Sequence, residues 1–335
     1  MVSLMKIKVK EWLVLKAACE SLTIGDIVEK TGLKPYTVTR ILNRLRGRVA
    51  IWFQPNYRKM DLLPIAIITR FSRTNLPPFT TADRRLYGFS KERELELITA
   101  VPPERDVDLY LSLLSGEPKY VVYGYEYVFW RPSNARLTLH LETEGRVHPL
   151  LSKVYEVLSN HLREIPQRTP PKTEIVDEID LKILEEKQEY AFKKLREISR
   201  IVGISHQVLS YHFRRHVRKL WAGNRIGLFL DAKTVPFRVY IFEGRDAPAL
   251  AKTLVELPYF HGAFIDKEKA YVVAQPSNNV REYLNMIIKE LDVYMPFGEL
   301  TMELKMKRKI PGYIRFFRKG KWILPVEEYL KAERS

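Results

Sequence analysis

Residues 191–217 read AFKKLREISRIVGISHQVLSYHFRRHV. The spacing of the apolar residues predicts two short helices joined by a tight turn. Leu195 and Ile198 lie three apart on the first helix, and Val202 and Ile204 flank Gly203. Leu209, Phe213 and Val217 recur at four-residue steps on the second. Ser205 is placed to cap that second helix, and Gly203 suits a turn in which a side chain would clash. The opposite face carries His206, Gln207, Ser210, Tyr211, Arg214 and Arg215. With Ser205 at its start, this face offers donors and acceptors for base edges and phosphates, and no acid. The pattern is that of a helix-turn-helix with its recognition helix at residues 205–217.

A second copy lies upstream, where residues 22–45 read LTIGDIVEKTGLKPYTVTRILNRL. With Gly32 laid over Gly203, Val38 falls on Leu209 and Leu42 on Phe213. The outward set becomes Lys34, Tyr36, Thr37, Thr39, Arg40, Asn43 and Arg44. The match continues past the helices. PIAIITRF at 64–71 lies over PFRVYIFE at 236–243, and LITAVP at 97–102 over VVAQPS at 272–277. A nearly constant offset over that length predicts a duplicated chain with small insertions.

The chain has 335 residues, a length for two to four domains, and its 46% hydrophobic content is enough for packed cores. Its net charge is +16. Between Glu29 and Asp61, and again between Glu197 and Asp231, there are basic residues and no acid. Those windows contain the two recognition helices, so a polyanion is the expected partner. Cys19 is the single cysteine, which excludes an intrachain disulfide and suits a reducing compartment. No run approaches the length that spans a bilayer. Lys16 and Glu11 interrupt the apolar N-terminal run, which therefore reads as the first helix of a domain and not as a signal peptide.

The expected fold class is α+β, in two tandem repeats. Each repeat is a winged helix-turn-helix followed by a ferredoxin-like βαββαβ module with an added hairpin and helix. The expected domains are a winged helix-turn-helix at 1–60, a βαββαβ module with a terminal helix at 61–165 and a linker at 166–174. A second winged helix-turn-helix follows at 175–232, then a second module with a basic C-terminal hairpin and helix at 233–335. Wing strands are expected at 49–53 and 226–230. In the first module a long aromatic strand is expected over 120–130. Residues 72–90 do not resolve into a first helix, although 82–86 could form one.

The second repeat resembles the Lrp/AsnC (leucine-responsive) family of regulators. The residues that carry the resemblance are DEIDLKIL at 177–184, LREISRIVGIS at 195–205, Leu209 and Phe213, followed by the βαββαβ order. The resemblance implies regulation of transcription through DNA and assembly through the βαββαβ modules. Family members carry one copy per chain where this chain carries two, so no effector ligand is carried over.

Other chemistries find less support. His212 and His216 are four apart on a helix, as metal ligands often are, but no glutamate lies between them and two arginines do. They read as phosphate contacts or a packed face, and no metal or cofactor is expected. Glu104, Asp106 and Asp108 read as acids at a helix start. In residues 316–322, FFRKGKW, aromatics interleave with cations. These read as a basic edge hairpin with its rings packed inward. There is no Gly-rich phosphate loop and no nucleophile elbow. The expectation is a non-enzymatic, sequence-specific binder of double-stranded DNA that regulates transcription, cytoplasmic and nucleoid-associated, with self-association through the modules left open. Two alternatives stand beside it: an architectural or replication-origin-associated DNA binder, and a subunit of a nucleic-acid-processing enzyme.

Overall fold

A computed structural model describes residues 6–71, 76–88, 95–114, 120–164, 171–303 and 313–334. Three helices open the chain, α1 (Val9–Cys19), α2 (Ile24–Thr31) and α3 (Pro35–Leu45), and lead into β1 (Val49–Pro55). There follow β2 (Ile65–Arg70), β3 (Thr80–Tyr87), β4 (Leu95–Ala100), α4 (Val107–Ser112), β5 (Tyr120–Tyr123) and β6 (Glu126–Val128). A hairpin, β7 (Thr138–Leu141) and β8 (Arg146–Pro149), precedes α5 (Val154–Leu162). The order then recurs. Helices α6 (Glu178–Glu189), α7 (Leu195–Val202) and α8 (His206–Arg215) lead into β9 (Trp221–Leu228). Next come β10 (Arg238–Glu243), α9 (Ala247–Val255), β11 (Phe260–Ile265), β12 (Lys269–Ala274), α10 (Asn278–Ile288) and β13 (Glu299–Met302). The hairpin β14 (Phe317–Arg318) and β15 (Lys321–Trp322) and helix α11 (Val326–Arg334) close the chain. The class is mixed α+β with antiparallel sheets.

Two expectations are corrected. Among the described residues no helix stands between β2 and β3 to match α9, so the first module is not βαββαβ there. Pro77 and Pro78 lack the N–H groups a helix needs, and residues 82–86 belong to β3, paired with β4. The aromatic run 120–130 is not one strand. It breaks at Gly124, whose N–H donates to the Pro64 carbonyl at 2.7 Å, and β5 and β6 lie in different compact units. Of the expected linker, residues 166–170 lie outside the described residues, and 171–174 carry no helix or strand.

The compact units do not follow the sequential halves. One comprises residues 1–52, 126–167 and 223–304, the other 53–125, 168–222 and 305–335. Each joins the three opening helices of one round to the strands that follow those helices in the other round, β10 to β13 in the first unit and β2 to β5 in the second. Strands β1 and β9 form a two-stranded sheet.

In the first unit, β13, β10, β12, β11 and β6 lie side by side, all antiparallel. Helix α9 packs on β11 and β12. Helix α1 is fixed from outside its own segment. The Ile7 N–H donates to the Gly145 carbonyl at 2.6 Å, and Trp12 stacks on His140 with centroids 5.3 Å apart. The buried Asn224 amide donates to the carbonyls of Ala18 and Ser21 at 2.8 and 2.6 Å, closing the C-terminal end of α1.

In the second unit the strand order is β5-β2-β4-β3, again antiparallel. Trp322 on β15 is buried, and its indole N–H donates to the Met60 carbonyl at 2.6 Å. Phe79 packs on Phe316 with centroids 4.8 Å apart, and Phe317 is buried as well. Arg318, Lys319 and Lys321 are exposed. The hairpin turn uses Lys319 and Gly320 at φ of 52° and 75°, the left-handed pair that matches strand twist in a two-residue loop.

Candidate nucleic-acid interface

Helix α2 starts at a capping box. The Thr23 hydroxyl accepts from the Asp26 N–H at 3.2 Å, and the Asp26 carboxylate accepts from the Thr23 N–H at 3.0 Å. It ends at Gly32 with φ 66°, a left-handed residue that turns the chain into α3. Pro35 opens α3 at a position where its missing N–H costs nothing. Val38, Ile41, Leu42 and Leu45 are buried, and this inward stripe fixes which side chains face out. Lys34, Tyr36, Arg40, Asn43 and Arg44 are exposed, and Thr37 and Thr39 are half-buried. The Arg40 guanidinium lies over the Tyr36 ring, 5.8 Å from its centroid. Six of the seven residues expected from the sequence therefore lie on the accessible side of α3, and the seventh, Lys34, is its N-cap. Arg44 also commits its Nε to Glu11 of α1, at 2.8 Å.

The second helical pair repeats the device in the other unit. Helix α7 ends at Gly203 with φ 70°, and the Ser199 hydroxyl donates to the Ile204 carbonyl at 2.6 Å across the turn. Ser205 caps α8 by accepting from the Val208 N–H at 3.4 Å. Leu209, Phe213 and Val217 are buried. Ser205, His206, Gln207, Tyr211, Arg214 and Arg215 are exposed and Ser210 half-buried. Arg214 folds back along its own helix, Nε donating to the Ser210 carbonyl at 3.2 Å and Nη2 to its hydroxyl at 3.1 Å. Tyr211, Arg214 and Arg215 line an open depression on this face.

Behind each outward face stands a buried acid at the third residue of the first helix. In the first copy it is Glu11, which accepts from the Lys8 N–H at 2.7 Å and meets Arg44. In the second it is Asp180, fully buried, which accepts from the Asp177 N–H at 3.1 Å. Asp180 meets two imidazoles of α8. His212 Nδ1 is 3.0 Å from Oδ1, and His216 Nδ1 is 3.0 Å from Oδ2. Asp177, the N-cap of α6, places Oδ2 3.4 Å from His212 Nδ1. Burial raises the Asp180 carboxyl above the usual carboxylate range, against the two histidine bonds, which lower it.

Lys187, about two turns further along α6, is also buried. Its ammonium donates to the Ala191 carbonyl at 2.9 Å and lies 5.2 Å from the Phe213 ring centroid. Burial pushes its pKa down to about 8, with Glu197 opposing.

Asp177 and Asp180 belong to the start of α6 and His212 and His216 to α8, and no feature of the sequence joined the two pairs. Nothing local joins residues more than thirty apart; the joining signal is that Asp180 is an acid at a position the packing buries. Among the described residues, no helix is long and apolar enough to cross a membrane.

No protein-family model matches the chain, and no curated protein is significantly similar to it. Among solved structures, the chain is similar to a transcriptional regulator from Neisseria meningitidis, crystallised as a complex with L-methionine. The identity is 14%, the match covers 35% of this chain and 87% of that one, and the TM-score is 0.24.

Proposed function

We propose that this chain is a non-enzymatic, sequence-specific binder of double-stranded DNA that regulates transcription through two winged helix-turn-helix readers. The observation that carries the reading is the outward face of α8, matched on α3. Each follows a left-handed glycine turn, each is held by an apolar stripe beneath, and each presents arginine, amide and tyrosine side chains without an acid. Such a face suits entry into a major groove, where anionic phosphates flank base edges rich in acceptors.

The recurrence of element order, and the buried acid at the third residue of both α1 and α6, support descent by tandem duplication. The order β13-β10-β12-β11 with α9 and α10 as crossovers supports a ferredoxin-like module in the second repeat, as the likeness to Lrp/AsnC regulators implies. In this account Arg40 and Arg214 read guanine, Asn43 and Gln207 read adenine, and Lys34, Arg44 and Arg215 meet phosphates.

The two readers carry different side chains, so the site they select has two unlike half-sites and is not a palindrome. Selection of bound duplexes from random DNA at a stated salt concentration tests this. The expected result is a non-palindromic site preferred over random DNA by about a thousandfold or more. A preference far below that would make the protein an architectural binder, and a true palindrome would remove one of the two readers.

A further inference from the structure

We propose that Asp177, Asp180, His212 and His216 form a binding site for one divalent transition-metal ion, zinc being the best fit, that clamps α8 to the start of α6. The argument begins with spacing. Zinc bound tetrahedrally at about 2.0–2.2 Å from nitrogen and oxygen holds its ligands roughly 3.3–3.5 Å from one another. Here one ligand atom from each of the four residues lies within 4.8 Å of all the others. His212 Nδ1 stands 3.0 Å from Asp180 Oδ1 and 3.4 Å from Asp177 Oδ2, and His216 Nδ1 stands 3.0 Å from Asp180 Oδ2. Donors from all four residues therefore converge on one place, and a rearrangement of these side chains would admit an ion between them.

Charge points the same way. A buried carboxylate needs a positive partner. In the first copy Arg44 supplies it to Glu11. In the second, the ion-pair partners of Asp180 among the described residues are the two imidazoles, and Asp177 adds a second negative charge beside them. Two carboxylates and two neutral imidazoles sum to a charge that a dication cancels. Each ring presents Nδ1 inward, so in the metal-bound state both would carry their proton on Nε2. The two arginines of α8 do not obstruct this: Arg214 turns to Ser210, and Arg215 is exposed.

The donor set is also not a requirement of the fold. With the turn glycines superposed, His212 and His216 fall on Ile41 and Leu45, both buried and apolar. The first copy packs the same place with hydrocarbon, so the second has acquired polar ligands where the architecture does not demand them.

The test uses the full-length chain, stripped with a chelator and titrated with cobalt(II) and then zinc(II), without DNA. Its outcome is therefore independent of whether the chain binds a duplex. The expected result is one cobalt per chain with the strong visible absorption of a tetrahedral centre, abolished by one equivalent of zinc. His212→Gln and His216→Gln should lose that spectrum, and His206→Gln, on the same helix outside the cluster, should keep it. Asp177→Asn retains a good N-cap and should fold, but should weaken metal binding by at least about tenfold. No tetrahedral cobalt spectrum in the parent chain would overturn the site. So would a spectrum that survives His212→Gln or His216→Gln, or an unchanged affinity in Asp177→Asn.

Discussion

Arg44 on α3 places its Nε 2.8 Å from Oε1 of Glu11 on α1, and the Glu11 side chain is 2% exposed where that of Arg44 is 46% exposed. A cation on the outward face of α3 is thus tied to a buried acid of α1. Glu11→Gln keeps a capping side chain at the third position but removes the charge. The expected loss is about 1–2 kcal/mol, moderated by the exposure of Arg44, and urea denaturation measures it. A variant as stable as the parent would show that the ion pair does not hold α3.

The turn at Gly203 carries a different cost. Its φ is 70°, and an added Cβ would meet nothing within 4 Å, so a substitution is opposed by backbone conformation alone. Gly203→Val should destabilise the second unit by about 1–2 kcal/mol, and Gly203→Asn by distinctly less, because asparagine tolerates the left-handed region. Thermal melts of the two variants compare them. Equal losses would mean that the cost is not conformational.

Lys187 makes stability depend on alkaline pH. Its ammonium titrates at about 8 in the folded chain against 10.5 for the ordinary side chain. Between those values the unfolded chain holds the extra proton, so stability should rise as pH rises from about 8 to 10.5. Lys187→Met should flatten that rise and be more stable than the parent near neutral pH. Denaturation midpoints across this range check the sign, and a parent whose Lys187-dependent stability falls with pH would contradict it.

What the sequence made legible was local. The glycine turns, the four-residue apolar steps of α3 and α8 and the outward positions of Arg40, Asn43, Gln207 and Arg214 follow from helix periodicity, which needs no distant partner. The pairing of segments into compact units was not legible. It rests on contacts such as Asn224 to Ala18, 206 residues apart, and Trp322 to Met60, 262 apart. Periodicity says which face of an element is buried, not which segment buries it. The same limit hid the Asp180 cluster. An acid in a first helical turn ordinarily faces water and the helix dipole, and only the packing of α8 across α6 encloses this one. Among the described residues no helix stands between β2 and β3, where Pro77 and Pro78 lack the N–H groups a helix needs.

The most direct test of the central claim is the salt dependence of duplex affinity, measured on the selected site for the parent and for two variants, Arg40→Ala and the double Arg214→Ala, Arg215→Ala. All three positions are exposed, so stability should stay within about 0.5 kcal/mol of the parent. If both helices lie against DNA, affinity should fall in each variant. The slope of log affinity against log salt should flatten by up to about one counterion for Arg40→Ala and up to about two for the double variant. An unchanged affinity and slope in either variant would take that helix out of the interface and contradict the account of two readers in one chain.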